Sequence, residues 1–110
     1  MAAVPTYEVV FSPEAESEAH EAAAYIAASA PKNAARWYKG LEAAIESLEI
    51  LPTRCGIARE STFLGEELRQ YIYKSHRIIF RVEEPARIVR ILHIHHAKRR
   101  AIGEPGESDP

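Results

Sequence analysis

Three short runs rich in β-branched and aromatic residues, packed into the stretch Leu68–Arg100, constrain this chain more than anything else in it. They are Leu68–Tyr73, Arg77–Val82 and Ile88–Ile94. The gaps between them are short and polar, Lys74-Ser75-His76 and then Glu83-Glu84-Pro85-Ala86. Runs of that length with connections that short predict an antiparallel meander of three strands. The stretch carries nine Lys or Arg against two Glu, a net of +7, in a chain whose net charge is −2. Positive charge concentrated on a sheet of a slightly acidic protein points to a polyanion or an acidic partner.

At 110 residues the chain is one domain with a real core, expected over residues 1–102, followed by a polar, flexible tail over 103–110. No apolar run approaches the ~20 residues of a membrane span, so no membrane association is expected. The start lacks a basic region followed by an apolar one, and Cys55 stands alone, which fits a reducing cytoplasm. Residues 1–50 are net −5 and residues 51–110 net +3.

Upstream of the meander, Thr6–Phe11 reads as a strand ended by Ser12-Pro13. Ser12 suits a helix N-cap and Pro13 the first helical position. The helix that follows runs to about Ala28, with a thin stripe of Ala15, Ala19, Ala22, Ala23 and Ile26. Ser29–Asn33 breaks it. A second helix places Ala34, Trp37, Tyr38, Leu41, Ala44, Ile45, Leu48 and Leu51 on one face and stops at Pro52. Its bulky face matches the small face of the first, as in two antiparallel helices joined tightly. Thr53–Glu66 reads as loop, punctuated by Gly56 and Gly65. Alternation in the meander puts Leu68, Gln70 and Ile72 opposite Arg69, Tyr71 and Tyr73, and Ile78, Phe80 and Val82 opposite Arg77, Ile79 and Arg81. One face is then expected to pack on the helices and the other to stay open, basic and aromatic. In the last strand both faces look half buried, as in a central strand.

The order strand, helical hairpin, meander resembles the RelE/ParE superfamily of type II toxin–antitoxin toxins. The residues that carry the resemblance are YEVVFSPEAESE, YIAASAPKNAARWYKGL, LRQYIYKSHRIIFRV and IVRILHIHHAKRR, together covering about residues 6–100. His96-Ala97-Lys98-Arg99 is similar to the ending of the ParE, or plasmid-stabilisation, branch. The resemblance implies an α+β fold of order β-α-α-β-β-β, an antiparallel sheet with a helical hairpin on one face. It also implies a cognate antitoxin whose flexible segment wraps hairpin and sheet.

The branches differ in chemistry. RelE-like toxins cut mRNA in the ribosome, and against their pattern Arg69, Arg77 and Arg99 match basic positions, Tyr71 replaces a second one, and no Tyr follows Tyr73. ParE-like toxins inhibit DNA gyrase. The expected function is therefore gyrase inhibition, with ribosome-dependent mRNA cleavage, or an inactive fold that only binds a partner, as the alternatives. As a ribonuclease the chain would use Arg69, Arg77 and Arg99 for phosphorane charge and a titrating histidine, with His96 the first candidate beside His76 and His95. The expected partner-binding set is Arg69, Tyr71, Tyr73, Arg77, Arg81, Lys98 and Arg99, since Arg suits carboxylate as well as phosphate. His93 and His95 share a strand face, but no Cys or carboxylate lies near them in sequence, so no metal is expected. P-loop, GxSxG, HExxH and Rossmann patterns are absent, so no cofactor is expected either.

Overall fold

The computed structural model describes residues 4–104. Strand β1 is Glu8–Phe11; helices α1 and α2 are Pro13–Ala27 and Pro31–Glu46; a short helix α3 is Glu60–Leu64; strands β2, β3 and β4 are Arg69–Tyr73, His76–Glu83 and Ile88–His96. The four strands form one sheet in the order β1-β4-β3-β2. The meander is antiparallel as expected, whereas β1 joins β4 in parallel, Glu8 opposite Ile88 through Phe11 opposite Ile91. A parallel neighbour needs a long connection, and the helical hairpin is part of it.

Ser12 caps α1, its hydroxyl accepting from the Ala15 amide at 3.1 Å, and Pro13 opens the helix. Ala15 and Ala19 are fully buried, so the small stripe lets α1 lie close on β4. Trp37, Leu41 and Ile45 of α2 meet Ile78, Phe80, Val89 and Ile91 of the sheet in the main core. Burying each large apolar side chain there is worth about 1.5–3 kcal/mol. Regular α2 ends at Glu46 rather than continuing to Leu51. The Glu49 carbonyl accepts from the Tyr7 amide and Ile50 bridges Thr6, which draws the chain out of the helix and onto the sheet.

Alternation within β2 and β3 holds, but the register joins their faces differently from an apolar side set against a basic and aromatic one. Tyr71 lies opposite Ile78 and Tyr73 opposite His76, so the tyrosines share the helix-facing side with Ile78 and Phe80. The Tyr73 hydroxyl donates to the Trp37 carbonyl at 2.9 Å. Gly40 makes that reach possible, because a Cβ at position 40 would collide with the Tyr73 hydroxyl. The opposite face is not left open either. Ala58, Leu68 and Ile79 form a second small cluster there, with Leu92 and Ile102 against it.

Two further features come from the middle of the chain. The stretch read as loop contains α3, closed by Gly65 at φ 68°, and Ser61 ties it to the Leu68 backbone in both directions. In β4, Ile79 pairs with His93 but Phe80 with Ile91, so Leu92 is the extra residue of a bulge. The bulge explains why alternation fails there, and β4 is a central strand as expected. Gly103, assigned to the tail, turns at φ 80° against Leu64 and Phe63; residues 105–110 lie outside the described residues.

Candidate functional site

The arginines of the sheet fall into two groups. Arg77 is only 3% exposed, and its guanidinium meets the fully buried Glu60 of α3 in two parallel bonds of 2.8 and 2.6 Å. Gln70 adds a third contact at 2.9 Å. Burial raises the Glu60 pKa, but the Arg77 hydrogen bonds and charge, with backbone amides including that of Ile102, outweigh this and hold it at about 2. Arg77 is therefore a locked interior ion pair and not an exposed cation. Arg69 gives one nitrogen to the Cys55 carbonyl at 2.7 Å and another to Glu67 at 3.2 Å, fastening the loop before α3. Arg81 pairs with Glu66 and Glu83, and Arg90 also takes Glu83, whose pKa those two arginines hold at about 2. Four of the nine basic residues that made the stretch so basic are paired with carboxylates within the fold.

Of the exposed basic residues of the stretch, Arg87 lies in the turn between β3 and β4, and the others gather at the opposite end of the sheet. His76 pairs with His96 and the Ala97 amide donates to the Ser75 carbonyl at 2.7 Å. This pairing sets the Lys74-Ser75 turn beside the segment Lys98–Arg100. Lys74, His96, Lys98, Arg99 and Arg100 are all exposed. Beneath them, the His76 ring lies 5.1 Å from Trp37 and 5.2 Å from His96, edge-on to both. Burial, and then the neighbouring His96 and His95, push the His76 pKa down, so it is a neutral ring supporting the surface. Of the expected partner-binding residues, Lys98 and Arg99 stand at this end, while Arg69, Arg77, Arg81 and Tyr73 are tied to other parts of the fold and Tyr71 packs against the main core. Lys74 and Arg100 belong to it and were not expected, and His76, expected only as a titrating histidine, lies beneath it; the antiparallel register of β3 and β4 is the signal that would have found them.

A second cluster adjoins this end. Strand β1 stops at Phe11, which leaves the edge of β4 beyond Ile91 without a neighbouring strand. Helix α1 follows at once and lays Glu18 on that edge. One Glu18 oxygen accepts from the Ile94 amide at 3.1 Å and lies 3.1 Å from His93 Nδ1; the other lies 2.7 Å from His95 Nε2. Arg99 approaches within 3.8 Å. Burial lowers the His95 pKa although Glu18 works against it. The argument that the histidines lack a carboxylate thus fails in space, because Glu18 is brought from 75 residues away. No spacing in the sequence could have revealed it.

Together these features define a small α+β protein in which the buried Arg77 and the partly buried Arg69 hold the fold, and a cluster of exposed basic residues stands at one end of the sheet. Residues 9–101 match the family model for the ParE toxin of the type II toxin–antitoxin system parDE, and the chain belongs to that family. Among solved structures it is similar to a chain of the chromosomal ParDE toxin–antitoxin system from P. aeruginosa. The TM-score is 0.69 at 16% identity, covering 84% of this chain and 98% of that one. No curated protein sequence matches it. No helix among the described residues is long and apolar enough to cross a membrane.

Proposed function

We propose that this toxin acts by binding DNA gyrase through the basic end of its sheet, without cutting RNA, and that a cognate antitoxin neutralises it. The observation that carries this reading is the fate of Arg77. A residue that stabilises a phosphorane must face the scissile phosphate, and Arg77 faces Glu60 in the interior. Arg69 is likewise spent on backbone carbonyls and Glu67. Of the three arginines a ribonuclease would need, Arg99 alone has a largely exposed side chain, at 61%. Cooperating catalytic groups fail together, so a site with one of three in place is expected to lose orders of magnitude in rate.

The surface supports an antitoxin with two kinds of contact. Between β1 and α2 lies an open groove lined by Val9, Phe11, Tyr38, Leu41 and Ile45, with Glu42 and Glu46 at its rim. An amphipathic segment carrying Lys or Arg beside its apolar residues fits that groove. Acidic residues of the same partner fit the Lys98–Arg100 end.

Two assays on the induced protein decide the target. Purified toxin should block supercoiling by gyrase, and messages mapped after induction should stay intact. Charge reversal at Lys98→Glu with Arg99→Glu should weaken inhibition by more than tenfold while leaving the protein folded. Messages cut in codon register, with supercoiling unaffected, would overturn the gyrase reading.

A further inference from the structure

The cluster on the edge of β4 has the composition of a metal site. We propose that Glu18, His93 and His95 bind a zinc ion that ties α1 to the C-terminal end of the sheet. Their ligand atoms all lie within 4.8 Å of one another. Zinc takes histidine nitrogens at about 2.0–2.1 Å and carboxylate oxygens at about 2.0–2.2 Å. Donors around a tetrahedral ion therefore sit about 3.3 Å apart. The two Glu18–histidine separations, 3.1 and 2.7 Å, need only small outward shifts to admit one.

Three features of the fold favour the ion over a plain hydrogen-bonded cluster. Regular alternation past the Leu92 bulge puts the rings of His93 and His95 on one side of the strand, with centroids 4.9 Å apart. The Ile94 amide donates to the Glu18 oxygen that faces His93, the outer hydrogen bond that a ligating carboxylate ordinarily has. And the site opens onto a cleft lined by Glu14, Ser17, Glu21, His93 and Arg99, leaving room for water or an exogenous ligand at the fourth position. Two carboxylates beside the opening attract a divalent cation. Arg99 is the competitor: its guanidinium lies 3.8 Å from Glu18, and it is exposed enough to swing away when the ion enters.

Two histidines and a carboxylate, with one position open, suit zinc better than calcium or magnesium, which take oxygen ligands. The ion's role is to order the strand end from which Lys98, Arg99 and Arg100 project. The proposal stands apart from the gyrase reading, since a structural ion serves this surface whatever it binds.

The test is a zinc titration of the purified, chelator-treated chain against a chromophoric competitor, with cobalt substitution as a second readout. The expected result is one ion per chain, a raised melting temperature, and the intense visible absorption of low-coordinate cobalt. Glu18→Gln and His93→Gln should each weaken binding by at least tenfold, while Arg99→Ala should tighten it. His20, exposed and paired with Glu16 on α1, is the control, and His20→Gln should change nothing. Because Glu18 also braces β4, the partly exposed His93 carries the decisive variant. Failure to bind zinc, binding that survives His93→Gln, or loss on His20→Gln would overturn the assignment.

Discussion

Arg77 and Arg99 bracket what this protein does with positive charge. Both come from the same basic stretch, and the resemblance casts both in the same catalytic role. In the fold they have opposite fates. Arg77 is sealed against Glu60, with Gln70 beside it, beneath the turn around Ile102. Arg99 stands in solvent beyond the last strand, its carbonyl holding Arg59 and its side chain 61% exposed. An interior guanidinium needs a carboxylate to offset its desolvation, so it specifies structure; an exposed one is available to a partner and adds little to stability.

The sharpest way to break this contrast is to remove one half of the buried pair. Glu60→Ala leaves the Arg77 charge uncompensated and should cost about 3–5 kcal/mol, read from urea unfolding. Replacing both by apolar residues of similar size should restore much of that loss. If Glu60→Ala is nearly neutral, Arg77 is not the locked residue described here.

A smaller effect is expected where α2 meets β2. Gly40→Ala pushes against the Tyr73 hydroxyl and should cost about 1–3 kcal/mol, the range for overpacking, with Tyr73→Phe in the same chain recovering part of it.

Acid should separate the interior from the exposed end by pH. The folded pKa of His76 lies below the ordinary 6.5, so the unfolded chain binds the proton more readily. The stability this represents is complete above 6.5 and is lost as pH falls through the folded value. Glu60, at about 2 against an ordinary 4.5, contributes fully above 4.5 and is lost only as pH falls through 2. Denaturation midpoints should therefore begin to fall below pH 6.5, and His76→Gln should flatten that first decline.

The smallest effect belongs to the exposed end. Lys98→Ala and Arg100→Ala should each change stability by no more than about 0.5 kcal/mol. A larger loss in thermal unfolding would mean that these side chains brace the fold.

The sequence by itself determined the four strands, the two long helices and their order. Ser12-Pro13 started α1 where expected, the small and bulky helix stripes found each other, and the three β-rich runs became a meander. These are local matters: capping, breakers and periodicity act over a few residues, and a single chain displays them. Facing was decided only in three dimensions. Tyr71 and Tyr73 turned under the helices because the register of β2 on β3 placed them opposite Ile78 and His76, and register depends on the partner strand. The Leu92 bulge reset the phase of β4, and α3 emerged from a glycine-punctuated loop because Ser61 and Glu60 found Leu68 and Arg77. The site depended on the same kind of distance. Lys98 and Arg99 were legible as basic residues past the last strand, but which arginines were free could be read only from where Glu60, Glu66, Glu67 and Glu83 came to lie. Glu18 reached His93 and His95 because β1 ends at Phe11 and exposes the edge of β4. Charge is written along the sequence, whereas its neutralisation is a contact between residues far apart in it, and only folding makes that contact.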